Sequence, residues 1–240
     1  MARRRFFVDA ISSGSAELRG DEARHLTRVL RVEPGQRFEI SDQRAAWLAE
    51  IVEARGERVV FRVIEPVETP EMPVSIALWA ALIKFDRFEW MIKKATELGV
   101  ESIRPVETAR SEKGLMEASG KRLERWRRVA REASQQARRV RASEILPAVR
   151  WQPALAEAVG HRYFLEEAAA PPLLQTLPRE RPRMAQVTLL IGPEGGWTDA
   201  ERQSAAAAGW QAASLGPYVL RAETAALAAV TVVVNAWLAL

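Results

Sequence analysis

Hydrophobic positions along the chain keep two different rhythms, and the change falls near residue 70. Before it, short runs of strand character recur at residues 4–8 (RRFFV), 37–41, 46–53 and 58–64. Turns at Pro34-Gly35, Gln43-Arg44 and Arg55-Gly56 punctuate them, and such short, evenly spaced strands predict a small β-barrel. Residues 22–31 (EARHLTRVLR) have helical spacing instead, with Leu26, Val29 and Leu30 on one face. Residues 65–73 (EPVETPEMP) hold three prolines and three glutamates, a composition suited to an exposed interdomain linker.

From Val74 the rhythm alternates between strand and helix. An apolar strand is predicted at 74–83. A helix follows with Asp86 as its cap, the stripe Phe88, Met91, Ile92, Ala95 and Leu98, and Gly99 at its end. Strands are predicted at 102–106, 163–165 and 187–191, and a long, very basic helix at 117–141. This alternation implies an α/β domain with a largely parallel sheet. The chain of 240 residues therefore divides into a β domain, residues 1–70, and an α/β domain, residues 71–240.

Composition narrows the chemistry. There is no cysteine, so disulfides, thiolate metal sites and cysteine nucleophiles are excluded. Two histidines, His25 and His161, and no close carboxylate cluster give no basis for a metal site. The pI is near 9.8, and most basic residues are arginines, whose planar fork suits phosphates and bases. No signal segment is expected, because Asp9 interrupts the apolar start. The apolar stretch 225–240 is shorter than the roughly 20 residues that span a bilayer, so it reads as a buried helix and no membrane partner is expected.

Two segments carry candidate chemistry. Residues 187–201 read VTLLIGPEGGWTDAE: an apolar strand, a glycine loop, then Thr198 and Glu201 with the spacing of a capping box. A glycine loop between a buried strand and a helix start is either a ligand loop or a plain tight turn. Ligand binding is the preferred reading, because backbone N–H groups and space converge there. The loop has no lysine and a central acid, Glu194, and it matches no phosphate-loop pattern, which argues against a nucleotide hydrolase. Residues 214–225 read SLGPYVLRAETA, with Thr224 a candidate cap for the last helix. Arg221 and Glu223 stand at that helix entry, either solvated or paired with each other, a ligand or a second subunit. Arginines crowd the basic helix, and Arg3 to Arg5 adjoin Phe6 and Phe7, a pairing that suits phosphate grip with base stacking or else a terminus beside core aromatics. His25 reads as a structural histidine rather than a catalyst.

GPEGG followed by LGPxxLRxETA resembles the RsmE-type 16S ribosomal RNA (uridine-N3) methyltransferases of the SPOUT superfamily. HLTRVLR, KKATELGV (residues 93–100) and Ala109-Arg110-Ser111-Glu112 extend the resemblance over nearly the whole chain. It implies a PUA-like RNA-binding β-barrel domain, a SPOUT-type α/β domain with a trefoil knot, and a cytoplasmic homodimer. It also implies S-adenosylmethionine as cofactor, held by the loop after Leu165 and by Leu190, Gly192, Glu194, Gly195, Gly196, Leu215, Gly216, Leu220, Thr224 and Ala225. Arg221 would stabilise developing negative charge, with Glu194 or Glu223 accepting a proton or orienting the cofactor. Ribosomal RNA or the small ribosomal subunit would be bound by Arg4, Arg5, His25, Arg28, Arg31, Arg110, Arg138 and Arg139. The rival readings are a methyltransferase acting on tRNA and a non-catalytic RNA-binding assembly factor. Two departures stand out. The family's E-Q-x-G-R reads Gln135-Gln136-Ala137-Arg138-Arg139 here, and Tyr218 occupies a position that is often basic.

Overall fold

A computed structural model describes residues 5–167 and 169–239; Arg4, expected to bind RNA, lies outside them. The chain forms two compact units. One ends at Pro70 and also takes in Ser134–Ala142; the other holds Glu71–Ala133 and the chain from Ser143 onward.

In the first unit the chain runs β1 (Arg5–Phe7), β2 (Ile11–Ser12), β3 (Ser15–Arg19), α1 (Gly20–Arg24), a π-turn (His25–Val29), β4 (Arg37–Ser41), β5 (Ala46–Arg55) and β6 (Arg58–Pro66). These strands form one sheet in the order β1-β4-β5-β6-β3-β2; β1 and β4 are parallel and the rest antiparallel. Among the described residues no ladder joins β1 to β2, so the expected barrel is an open six-stranded path. Phe6, Leu18, Leu26, Ile40, Ile51 and Phe61 fill its core.

The helix expected at 22–31 is half α and half π. The Leu30 N–H donates to the His25 carbonyl, a five-residue step that widens the turn. Only Leu26 keeps the inward face; Val29 is 65% exposed and Leu30 42%. His25 is exposed too and is not a buried structural histidine.

Arg5 overturns one expectation. It is 2% exposed, donates from Nε and Nη2 to Glu39 at 3.2 and 2.9 Å, and donates from Nη1 to the Arg138 carbonyl at 2.6 Å. A guanidinium buried and committed in this way is out of reach of an RNA phosphate. Ser41 Oγ donates to the Val140 carbonyl at 2.8 Å, and Arg141 Nε to the Gln43 carbonyl at 3.0 Å. These bonds bind residues 137–142 to the first unit.

The second unit runs β7 (Val74–Ala81), α2 (Phe85–Glu97), β8 (Ser102–Glu107), α3 (Leu115–Gln136), β9 (Glu144–Ile145), β10 (Val149–Arg150), α4 (Trp151–Glu157), β11 (His161–Leu165), α5 (Leu173–Thr176), β12 (Ala185–Ile191), α6 (Asp199–Ala207), β13 (Gln211–Ala213) and α7 (Ala222–Leu238). The sheet order is β10-β8-β7-β12-β11-β13, with β9 beside β8, and every ladder is parallel. β12 explains why its sequence is an apolar run rather than an alternation. Val187, Leu189 and Ile191 join the core that includes α2 and α7, while Leu190 faces a second core with Trp79, Trp197 and Trp210.

Three helix ends differ from expectation. Lys84, not Asp86, is the cap position of α2, and Asp86 lies in its first turn, where a carboxylate favours the helix dipole. Arg221, not Thr224, caps α7, and its side chain makes no capping bond. The basic helix stops at Gln136 instead of 141. There Arg138 takes φ +55°, its N–H donates to the Gln135 carbonyl and the Arg139 N–H to the Ser134 carbonyl. That is a Schellman closure with arginine at the left-handed position, where glycine is usual.

Removing the Arg5 side chain leaves Glu39 buried without its main partner. Arg5→Ala is expected to lower the unfolding free energy by about 3 kcal/mol, read from urea denaturation.

Candidate active site

The ends of β11 and β12 and the start of α7 converge on one open cleft. Leu165, Ile191, Leu215 and Leu220 supply apolar wall; Gly192, Pro193, Gly196 and Gly216 supply bare backbone; Glu167 supplies negative charge, and Glu166 is paired with Arg202. Trp197, Tyr218, Ala222 and Ala225 complete the lining.

Trp197 organises this edge. Its indole N–H donates to the Leu165 carbonyl at 2.8 Å, and its ring stacks on Phe164 with centroids 4.5 Å apart. The turn after β12 is therefore tied to the end of β11. A Cβ at Gly192 would stand 2.9 Å from that indole ring, so only glycine fits. Gly196 has φ +66°, and a Cβ there would meet Glu167 Oε1 at 2.6 Å. The glycine loop is thus a close approach of backbone, aromatic ring and carboxylate.

The capping box read from the sequence is present. Glu201 Oε2 accepts from the Thr198 N–H and hydroxyl, both at 2.8 Å, and Thr198 Oγ accepts from the Glu201 N–H at 3.2 Å. Glu166 pairs with Arg202 through both carboxylate oxygens, at 2.6 and 3.1 Å. Its hydrogen bond holds the Arg202 proton more firmly than on a free guanidinium.

Of the residues expected to hold the cofactor, Gly192, Gly196, Leu215, Gly216, Leu220 and Ala225 line the cleft. Leu190, Glu194, Gly195 and Thr224 do not. Leu190 points to the opposite face of the sheet. Glu194 pairs with Arg87 at 2.5 Å, and the Gly195 carbonyl accepts from Arg110 Nη1 at 2.5 Å. Thr224 is exposed in the first turn of α7. Glu223 Oε2 is buried and has no hydrogen-bond partner among the described residues, while Arg221 is exposed. Arg28, Arg31, Arg110 and Arg138 are exposed and Arg139 is half-buried.

The loop expected after Leu165 contributes Glu166 and Glu167, and Tyr218 lies within the expected stretch from Leu215 to Ala225. The sequence reading missed Ile191 and Trp197 in the lining.

Among the described residues the lining has two carboxylates, of which Glu167 is not paired with a base while Glu166 is held by Arg202, and no basic side chain. A phosphate-bearing ligand finds no countercharge there, whereas a ligand with a flat apolar group and positive charge does. S-adenosylmethionine, with an adenine, a sulfonium and an ammonium, fits those walls.

Comparison with known proteins gives the class first. The sequence model of the RNA methyltransferase domain matches residues 70–234, and that of the RNA methyltransferase PUA domain matches residues 18–64. The chain is an RNA methyltransferase with a PUA-like N-terminal domain. Within that class it belongs to the family of ribosomal RNA small subunit methyltransferase E. It is 32% identical over 232 residues to that protein from Synechocystis, covering 90% of this chain and 72% of the relative. It is also 32% identical to the Mycobacterium bovis protein over 245 residues, covering 97% and 92%. The crystal structure of the Neisseria gonorrhoeae enzyme bound to S-adenosyl methionine superposes with TM-score 0.86 at 30% identity, covering 95% of each chain. A Legionella pneumophila methyltransferase in complex with the same cofactor gives TM-score 0.88 at 29% identity, covering 98% of each.

Gly192→Ala forces the methyl group against the Trp197 ring. It is expected to weaken S-adenosylmethionine binding at least about tenfold in titration calorimetry, with a stability loss of roughly 1–3 kcal/mol.

Proposed function

We propose that this protein transfers a methyl group from S-adenosylmethionine to N3 of a uridine in small-subunit ribosomal RNA. The observation that carries this reading is the acidic, glycine-floored cleft at the C-terminal edge of the parallel sheet. Family membership supplies the substrate class.

When bound, S-adenosylmethionine presents an electrophilic methyl on a sulfonium. Leu165, Ile191, Leu215 and Leu220 would flank its adenine and exclude water, and Glu167 would face its positive charge. The uridine N3–H must leave for the nitrogen to attack. Glu223 Oε2, buried and unpartnered, is better placed to take that proton than Glu194, whose carboxylate is held by Arg87. Arg221, exposed at the start of α7, would face the charge developing on the uracil oxygens. Alignment of methyl and nitrogen supplies part of the rate by itself.

The exposed arginines Arg28, Arg31, Arg110 and Arg138, with Arg139 and His25, are the RNA-facing set we propose. The protein would act in the cytoplasm as a homodimer, with a trefoil knot in its α/β domain. Tyr218 and Val219, exposed beside the cleft, support a further contact surface there. Among the described residues no helix is long and apolar enough to cross a membrane.

Small ribosomal subunits lacking base methylation, incubated with labelled S-adenosylmethionine, are expected to yield 3-methyluridine. Arg221→Ala and Glu223→Gln should each lower kcat about a hundredfold while cofactor affinity stays within a few-fold. Cofactor binding without labelled ribosomal RNA would move the substrate to tRNA. Absence of both would leave an RNA-binding assembly factor.

A further inference from the structure

Glu201 does more than cap α6. It is 4% exposed, and its second oxygen, Oε1, accepts from the Ala109 N–H at 2.8 Å across a sequence gap of 92 residues. One carboxylate therefore holds two loops, the one that opens α6 after the glycine turn and the one that follows β8. The next residue in the second loop is Arg110. Its guanidinium sits on the Gly195 carbonyl at 2.5 Å, and its stem lies 3.2 Å from where a Cβ on Gly195 would be. Nη1 stands 3.9 Å from the corresponding point on Gly196, the point that Glu167 Oε1 approaches from the cleft. Arg110 thus places a positive charge at the rim of the cleft, next in the chain to the Ala109 amide that Glu201 holds.

We infer that Glu201 is a positioning residue for the reaction: its carboxylate sets Arg110 on the glycine turn, so that the guanidinium faces the incoming RNA where the methyl donor is held. This rests on the methyltransferase reading above. The capping half of the bond network stabilises α6; the Ala109 half fixes the loop with Arg110. The two halves can be separated. Thr198→Ala removes the hydroxyl of the cap and leaves the bond to Ala109. Glu201→Ala removes both.

The two variants and the unaltered full-length protein would be compared in methyl transfer to small subunits, in cofactor titration and in amide hydrogen exchange of residues 107–112. Glu201→Ala is expected to lower kcat about tenfold or more, to leave cofactor Kd within about threefold, and to lose protection at the Ala109 amide. Thr198→Ala should keep that protection and most of kcat, even where thermal stability falls as far as in Glu201→Ala. Equal kcat losses in the two variants, or losses that follow thermal stability, would overturn the inference. So would intact protection at Ala109 in Glu201→Ala. If the unaltered protein methylates no ribosomal RNA, the function reading fails, and the exchange pattern still decides whether Glu201 holds the Arg110 loop.

Discussion

The hydrogen bond from the Trp197 indole to the Leu165 carbonyl is the constraint on which the site's geometry turns. Parallel strands end at one edge with carbonyls and N–H groups that the sheet no longer satisfies. Here one of those carbonyls is met by an aromatic N–H from the turn after the neighbouring strand. The ring is locked in turn by Phe164 and by Trp151, 5.3 Å away between centroids. A rigid ring beneath the turn forbids any side chain at Gly192, and that exclusion is what leaves backbone exposed to a ligand. The cleft is thus a consequence of aromatic packing as much as of glycine flexibility.

Charge is arranged around the cleft with the same economy. Glu166 is spent on Arg202, Glu194 on Arg87 and Glu201 on backbone and hydroxyl donors. Glu167 faces the lining, and Glu223 keeps a buried oxygen without a partner among the described residues. A buried acceptor left unmatched is costly unless something supplies a proton or a donor during the working cycle. That contrast assigns different work to carboxylates that look alike in a sequence.

Much of this was legible in the amino-acid order, and what was not has physical reasons. The strand at residues 187–191 and the capping box after it could be read because burial on both faces and helix capping each leave a local signature. The hairpin of β2 and β3 was missed, although Ser13 and Gly14, both with positive φ, form its two-residue turn; Ser-Gly is a weaker signal than Asn-Gly. Val29 and Leu30 were misplaced because a π-turn rotates the face by an amount no period of 3.6 anticipates. Arg5 looked like a phosphate ligand because its partner, Glu39, is 34 residues away in sequence. Arg138 looked like a lost glycine. The structure keeps the left-handed turn regardless, and the arginine reaches Glu39 at 3.7 Å, an ion pair that a glycine could not make.

The strip Ser134–Ala142 belongs to the first unit although the chain on either side of it builds the second. The two units are therefore not beads on a string. A gene cut at the linker near Pro70 would strand the partners of Arg5, Ser41 and Gln43 on the other fragment. Recombination between relatives would have to exchange this strip together with the N-terminal sheet to produce a working chimera. The N-terminal sheet and the strip that closes on it are one piece of structure written in two places along the chain.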